Sequence, residues 1–202
     1  MIFVYLAQLH DVSEQEELYP PARAEEILSC ANASVRAQKA SVWKILRLGL
    51  LHAYGSDMRQ IDFRKTDCGK WVCDRCCFSL SHTKEGVAVA LSHAPVGIDR
   101  EELSEKRFTR KLYDRIACAE ERAVWGETPS ASYIARLWTA KESLFKQEGG
   151  KVFRPEHINT EREEYASFCM DGAVISVTGR REELRVFRFD GAAFTQADLP
   201  ES

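Results

Sequence analysis

No stretch of this 202-residue chain approaches the roughly 18 consecutive apolar residues that a bilayer crossing needs, so no membrane role is expected. The opening MIFVYLAQLHDVSEQEE lacks a basic start and a small-residue cleavage site. It reads as a first strand rather than an export signal, and a reducing cytoplasm is the expected setting. Positive charge is not in excess: 28 basic and 31 acidic side chains leave a net charge of -3, which argues against a uniform nucleic-acid-binding surface. The phosphate-loop pattern G-x-x-x-x-G-K-[ST], the dinucleotide fingerprint G-x-G-x-x-G and the nucleophile elbow G-x-S-x-G are all missing. The cysteines are odd in number, seven, so a disulfide framework is not expected. Hydrophobic residues at 45% and charged residues at 29% fit an ordinary globular chain with its own core.

Local patterns divide the chain into two runs of strand, helices and strands. Residues 2–8 are rich in branched and aromatic types, as in a strand. Pro20 and Pro21 open a short helix, and residues 34–54 form a long one with Val42, Ile45, Leu46 and Gly49 on a core face and Gly55 as its stop. Residues 66–77 are turn-rich. FSLSH and GVAVALS are short strands joined by a turn at Thr83 to Glu85, and VGIDRE is another strand. Residues 102–125 read as helical, GETPS as a linker, and Ser132 to Gln147 as a helix ended by Gly149 and Gly150. YASFCM, AVISVTG and LRVFRF read as antiparallel strands, with hairpin-type turns at Asp171-Gly172 and Asp190-Gly191. The expected class is α+β, in two halves (residues 1–95 and 96–202), each with helices on a small, mainly antiparallel sheet.

The residues that can carry chemistry are mostly carboxylates and cations. Asp99 and Glu101 lie two apart in a strand and share a face. Glu142 sits on a helix with Trp138 and Lys146 at four-residue spacing, and Lys141 pairs with Phe145 on the adjoining face. If that helix crosses the strand, three carboxylates converge, and oxygen-only ligands suit Mg²⁺ in work on a phosphate ester. The same acids could instead flank a turn and face solvent. His82, at the end of FSLSH, could donate to a phosphate or cap the strand. Arg36, Lys39 and Arg47 with Lys70 could line a phosphate pocket, or form a solvated basic face. Cys73 and Cys76 have zinc-ligand spacing and His82 is near in sequence, but no distant second pair completes a site. The vicinal Cys76 and Cys77 are candidates for oxidation.

Taken in order, Gly69-Lys70, FSLSH at 78–82, GIDRE at 97–101 and WTAKESLFK at 138–146 resemble the 4′-phosphopantetheinyl transferase superfamily, in its larger, pseudodimeric, surfactin-synthetase-activating type. MIFVYL and SVRAQKASVWKILRLGLL look like that group's first strand and long helix. The resemblance covers roughly residues 1–180 and implies two similar halves with coenzyme A and Mg²⁺ in the cleft. The implied reaction moves 4′-phosphopantetheine to a serine hydroxyl of an acyl, peptidyl or polyketide carrier protein and releases adenosine 3′,5′-bisphosphate. It implies Asp99, Glu101 and Glu142 as metal ligands, with Glu142 also taking the serine proton. His82, Lys141, Lys146, Arg36 and Lys70 are implied as coenzyme A contacts, Lys146 on the diphosphate. A monomer is implied because one chain builds the cleft. The chain departs from the pattern at Arg100, where an apolar residue is usual, at Thr83 and Trp71, and in the segment FDGAAFTQADLPES. Competing classes are a non-catalytic coenzyme A- or carrier-binding relative, a zinc-stabilised module around Cys68 to Cys77, and another Mg²⁺-dependent phosphate-ester enzyme. The charged stretch Glu105 to Arg115 is the expected carrier-docking surface.

Overall fold

Branched and aromatic residues make Ile2–Gln8 an extended strand, β1, and its alternation sets two faces. Tyr5 and Ala7 point into one core, and Val4 and Leu6 into another. This is the central strand of a computed structural model that describes residues 1–12, 19–125 and 128–200. The rest of the opening segment as far as Glu17, and Gly126 and Glu127 of the expected linker, lie outside those residues.

The helices of the first half are α1 (Pro21–Leu28) and α2 (Ala33–Tyr54). Asn32 caps α2 by accepting the Val35 N–H at 3.1 Å, and Gly55 ends it in the left-handed conformation (φ 62°) that favours glycine. A small hairpin follows, β2 (Phe63–Lys65) and β3 (Trp71–Cys73), where only turns were expected. Then come β4 (Cys77–His82), β5 (Gly86–Ser92) and β6 (Ile98–Glu102). The stretch read as helical from 102 to 125 holds two short helices, α3 (Arg110–Ile116) and α4 (Ala119–Trp125). Ala117 between them is extended (ψ 132°), and Phe108 is buried in the non-helical stretch ahead of them. The long helix α5 (Ala131–Glu148) is capped by Ser130 and closed by Gly149. It is followed by β7 (Tyr165–Met170), β8 (Ala173–Thr178), β9 (Leu184–Phe189) and β10 (Phe194–Ala197).

These elements stack in four layers: α2, a five-stranded sheet, a three-stranded sheet, and α5. The larger sheet runs β10-β9-β1-β5-β4 and the smaller β6-β8-β7. One core lies between α2 and the large sheet. A second fills the space between the sheets, with Val4, Leu6, Ala88 and Ala90 facing Ile98, Phe168, Ile175 and Val177. A third holds α3 and α5 against the small sheet through Val174. The α+β class is therefore as expected, with a long helix on each sheet. The expected antiparallel pairing of LRVFRF with its predecessors is corrected. That strand, β9, pairs parallel with β1 in the large sheet, and β10 extends the edge beyond it. Its alternation suits the move, since Leu184 and Val186 enter the core between the sheets. The C-terminal segment that departed from the resembled pattern thus contributes β10, which pairs antiparallel with β9 at the edge of the large sheet.

Candidate functional site

The site forms where β6 and α5 touch. A Cβ placed on Gly97 would stand 1.8 Å from the Ser143 carbonyl oxygen and 2.9 Å from the Gln147 nitrogen. Only glycine lets the strand lie this close to the helix backbone. A hydroxyl pair, Thr139 Oγ1 to Ser176 Oγ at 2.7 Å, fixes α5 on β8. β6 is an edge strand of the small sheet, and its free N–H groups would be unsatisfied where the sheets meet. Ser79 and Ser81 of β4 fill them: Ile98 donates to Ser79 Oγ at 3.0 Å and Arg100 to Ser81 Oγ at 3.1 Å. The two serines two apart in FSLSH thus match two residues two apart in GIDRE.

This frame points Asp99 at α5. Its carboxylate is 4% exposed as a residue, and Oδ1 accepts from Ser81 Oγ at 2.9 Å and from Lys146 Nζ at 2.7 Å. Oδ2 is buried without a hydrogen-bond partner among the described residues. Glu101, on the same face of β6, is held by a bidentate contact from Arg107. Glu142 lies one turn before Lys146 on α5, 3.9 Å from its ammonium, with a side chain 25% exposed. Burial, then the charge of Asp99, pushes the Glu142 carboxyl up to about 7, with Glu101 adding to it and Lys146 opposing. Burial and Asp99 also raise Glu101. The three acids therefore feel one another across the β6–α5 junction. Among the described residues, however, no three acidic, histidine or cysteine side chains are gathered closely enough to hold an ion as they stand. Like charges repel, and Lys146 and Arg107 sit where they offset that repulsion.

The cationic side of the site comes from α1 and α2. His82, at the end of β4, has Nδ1 3.1 Å from Gln38 Oε1 of α2. Burial lowers its pKa, and the nearby charges of Lys146, Arg23 and Lys39 lower it further. Arg23 is itself buried: it donates to Glu26 and to the Lys39 carbonyl and lies 5.3 Å from the Trp43 ring centroid. Its Nε has no hydrogen-bond partner among the described residues. A cavity of about 270 Å³ opens beside Lys146, lined among others by Cys68, Lys70, Trp71, Leu80 and Phe145. Lys70, from the β2–β3 turn, donates to the Lys146 and Gln147 carbonyls and so caps the C-terminus of α5, the favourable end for a cation.

Two residues expected at coenzyme A, Lys141 and Arg36, make hydrogen bonds within the protein. Lys141 is 0% exposed, and its ammonium spends its donors on Glu121 at 2.8 Å and on the Pro155 and Ile158 carbonyls. Glu121 also accepts from Thr160 and from the Cys118 N–H. Burial would raise that carboxyl, but the hydrogen bonds from Lys141, Thr160 and Cys118 outweigh it and hold it low. Lys141 is therefore a buried tie between α5, α4 and the segment before β7, whereas a phosphate contact is what the resemblance implied. Arg36 is exposed on α2 and donates to the Cys30 carbonyl, bracing the α1–α2 connection. Arg23, Gln38, Ser81 and Arg107 were missed by sequence reasoning. Only Ser81 had a legible signal, the matched spacing with Asp99 and Arg100. Arg100 points away from the acids, as its place in the strand implies, and packs over Gly86.

Residues 95–181, which span the acids and the whole of α5, match the family model described as the 4′-phosphopantetheinyl transferase superfamily. That stretch of the chain is similar to the superfamily that its motifs resemble. Two relatives carry the class in their names. The 4′-phosphopantetheinyl transferase gsp of Aneurinibacillus migulanus is 32% identical over 116 residues, covering 55% of this chain and 48% of that protein. The 4′-phosphopantetheinyl transferase psf-1 of Bacillus pumilus is 30% identical over 122 residues, covering 57% of this chain and 52% of that protein. The matches thus span about half the length of the curated relatives. Among the described residues, no helix is long and apolar enough to cross a membrane.

Proposed function

We propose that this protein transfers 4′-phosphopantetheine from coenzyme A to a serine hydroxyl of a carrier protein, releasing adenosine 3′,5′-bisphosphate. The observation that carries this reading is the Asp99 carboxylate, held between Ser81 and Lys146 with one oxygen unfilled, opposite a Glu142 whose carboxyl is pushed up to about 7. An orphaned buried carboxylate oxygen and three mutually repelling acids fit a hard divalent cation. Asp99, Glu101 and Glu142 would hold Mg²⁺, which supplies charge neutralisation for phosphate oxygens when bound.

The chain's own groups divide the remaining work. Glu142 titrates near neutrality, which suits an acceptor for the proton of an incoming hydroxyl. Lys146 presents its ammonium between Asp99 and Glu142, in position to balance phosphate charge. His82, oriented by Gln38, and Arg23 and Lys39 line the side where a further phosphate of coenzyme A would bind. Lys70 contributes indirectly by capping the helix that carries Lys146. The chain acts as a monomer of two similar halves on this reading, with the acids supplied by the second.

The test is the intact mass of an apo carrier protein after incubation with this protein and coenzyme A, with and without Mg²⁺. A metal-dependent gain of one phosphopantetheine group is expected; its absence across acyl, peptidyl and polyketide carriers, with the protein folded, would sink the reading. Carrier docking falls to the stretch Glu105 to Arg115, which runs past Glu101 through its Arg107 contact. Lys106 and Arg110 are exposed there. Reversing both charges should raise the carrier KM by about tenfold with little change in kcat, as for other surface steering charges. An unchanged KM would move docking elsewhere.

A further inference from the structure

The connection between β3 and β4 reads Cys73-Asp74-Arg75-Cys76, and the acid site makes no use of its thiols. Cys73 ends β3, opposite Phe63 of β2, and Cys76 stands one residue before β4. So short a connection brings its two ends together. The Cys73 thiol donates to the Cys76 carbonyl at 3.3 Å. The Cys76 side chain and the backbone of Cys76 and Arg75 favour the Cys73 thiolate. Both residues pack against the core beneath α2 and both are partly exposed. Cys77, the next residue, belongs to the opposite face of the sheet and packs into the core between the sheets. The vicinal pair is thereby split, and the partners are the residues at C-x-x-C spacing.

The electrostatics divide the two thiols. The Cys76 side chain lowers the Cys73 thiol's pKa, against the opposing effect of burial. The Cys73 side chain, and then burial, shift Cys76 upward. The thiolate is thus favoured at one sulfur and disfavoured at the other, as C-x-x-C pairs in redox proteins arrange it. All seven cysteines are free thiols in the structure.

We propose that Cys73 and Cys76 form a reversible dithiol–disulfide couple that exchanges with low-molecular-weight disulfides. The Cys73 thiolate attacks one sulfur of the small disulfide, its S–S bond breaks, and one small thiolate leaves. Cys76 then loses its proton to solvent and attacks the Cys73 sulfur of the mixed disulfide, releasing the second small thiolate. Two protein thiols lose two electrons, and the small disulfide gains them as two thiols. The bridge links the hairpin that carries Lys70 and Trp71 to the strand that carries Ser81 and His82. The couple rests on the turn alone and does not depend on the transferase reading.

The experiment equilibrates the full chain in mixtures of reduced and oxidised glutathione, alkylates the remaining thiols after acid quenching, and maps peptides by mass. The expected result is a Cys73–Cys76 bridge while the other five thiols are alkylated. Cys76→Ser should accumulate a glutathione adduct on Cys73, and Cys73→Ser should form one on Cys76 about tenfold more slowly. Two alkylated thiols at glutathione ratios that oxidise a C-x-x-C control peptide would overturn the couple, as would a Cys76–Cys77 bridge or faster labelling of Cys76. Should a variant fail to fold, the wild-type time course decides instead: the Cys73 adduct must appear before the bridge.

Discussion

Asp99 keeps one carboxylate oxygen without a partner while the other takes two donors. That imbalance, with Glu142 opposite, is where the proposed reaction would gather its charge. Glu142→Gln keeps the side-chain shape and removes the proton acceptor. Transfer, measured by carrier mass, should fall at least about a thousandfold. In the presence of a chelator above about pH 7 the variant should melt no lower than wild type, because it drops a half-buried carboxylate that its neighbours repel. Near-normal turnover would remove Glu142 from the chemistry. His82 gives a pH signature of its own. Burial and the charges of Lys146, Arg23 and Lys39 hold its folded pKa below the ordinary 6.5. The unfolded chain then binds this proton more readily than the folded protein, so stability is lost as pH falls from 6.5 toward the folded value. Wild type should therefore lose more melting temperature than His82→Gln between about pH 7.5 and 5.5. Parallel curves would show that His82 titrates normally.

The contact of β6 with α5 depends on one absent methyl group. Gly97→Ala would put a carbon 1.8 Å from the Ser143 carbonyl oxygen, so strand and helix must separate. A loss of more than about 3 kcal/mol in chemical denaturation is expected. Lys141→Met tests the buried tie. It leaves Glu121 charged and unpaired among Thr160 and Cys118, and should cost about 3 to 5 kcal/mol. A loss under 1 kcal/mol, roughly a surface pair's worth, would return Lys141 to the candidates for phosphate contact. Legibility followed the length of the pattern. α2, α5 and the strands β4 to β8 were readable because apolar spacing and glycine or asparagine caps agree over many residues. The three-residue strands β2 and β3 carry too little alternation to be seen. The charged run before α4 hid the extended Ala117, since charge density says nothing about backbone angle. Asp99, Glu101, Glu142 and Lys146 were legible as a motif. Arg23 was not, because nothing in α1's sequence tells which way it faces α2.

Across the whole molecule the long helices lie on the outside and the two sheets face each other, so the acids on β6 and the cations near His82 meet along one seam. The large sheet is completed from far along the chain, since Ile2 pairs with Leu184 and Ala7 with Phe189. A chain ending at Glu183 would leave β1 with a bare edge and take Leu184, Val186 and Phe189 out of two cores. Such a chain should lose its cooperative thermal transition by circular dichroism, and a transition at the wild-type temperature would show that the last strands merely decorate the fold. The same pairing has a temporal side. During synthesis the first strand leaves the ribosome long before its parallel neighbour exists, so its hydrogen-bonding edge must wait, exposed or shielded by helpers, until translation has passed Phe189. A ribosome that stalls earlier than that delivers a chain with the acids already made and no closed sheet to hold them, and quality control rather than catalysis is its natural fate.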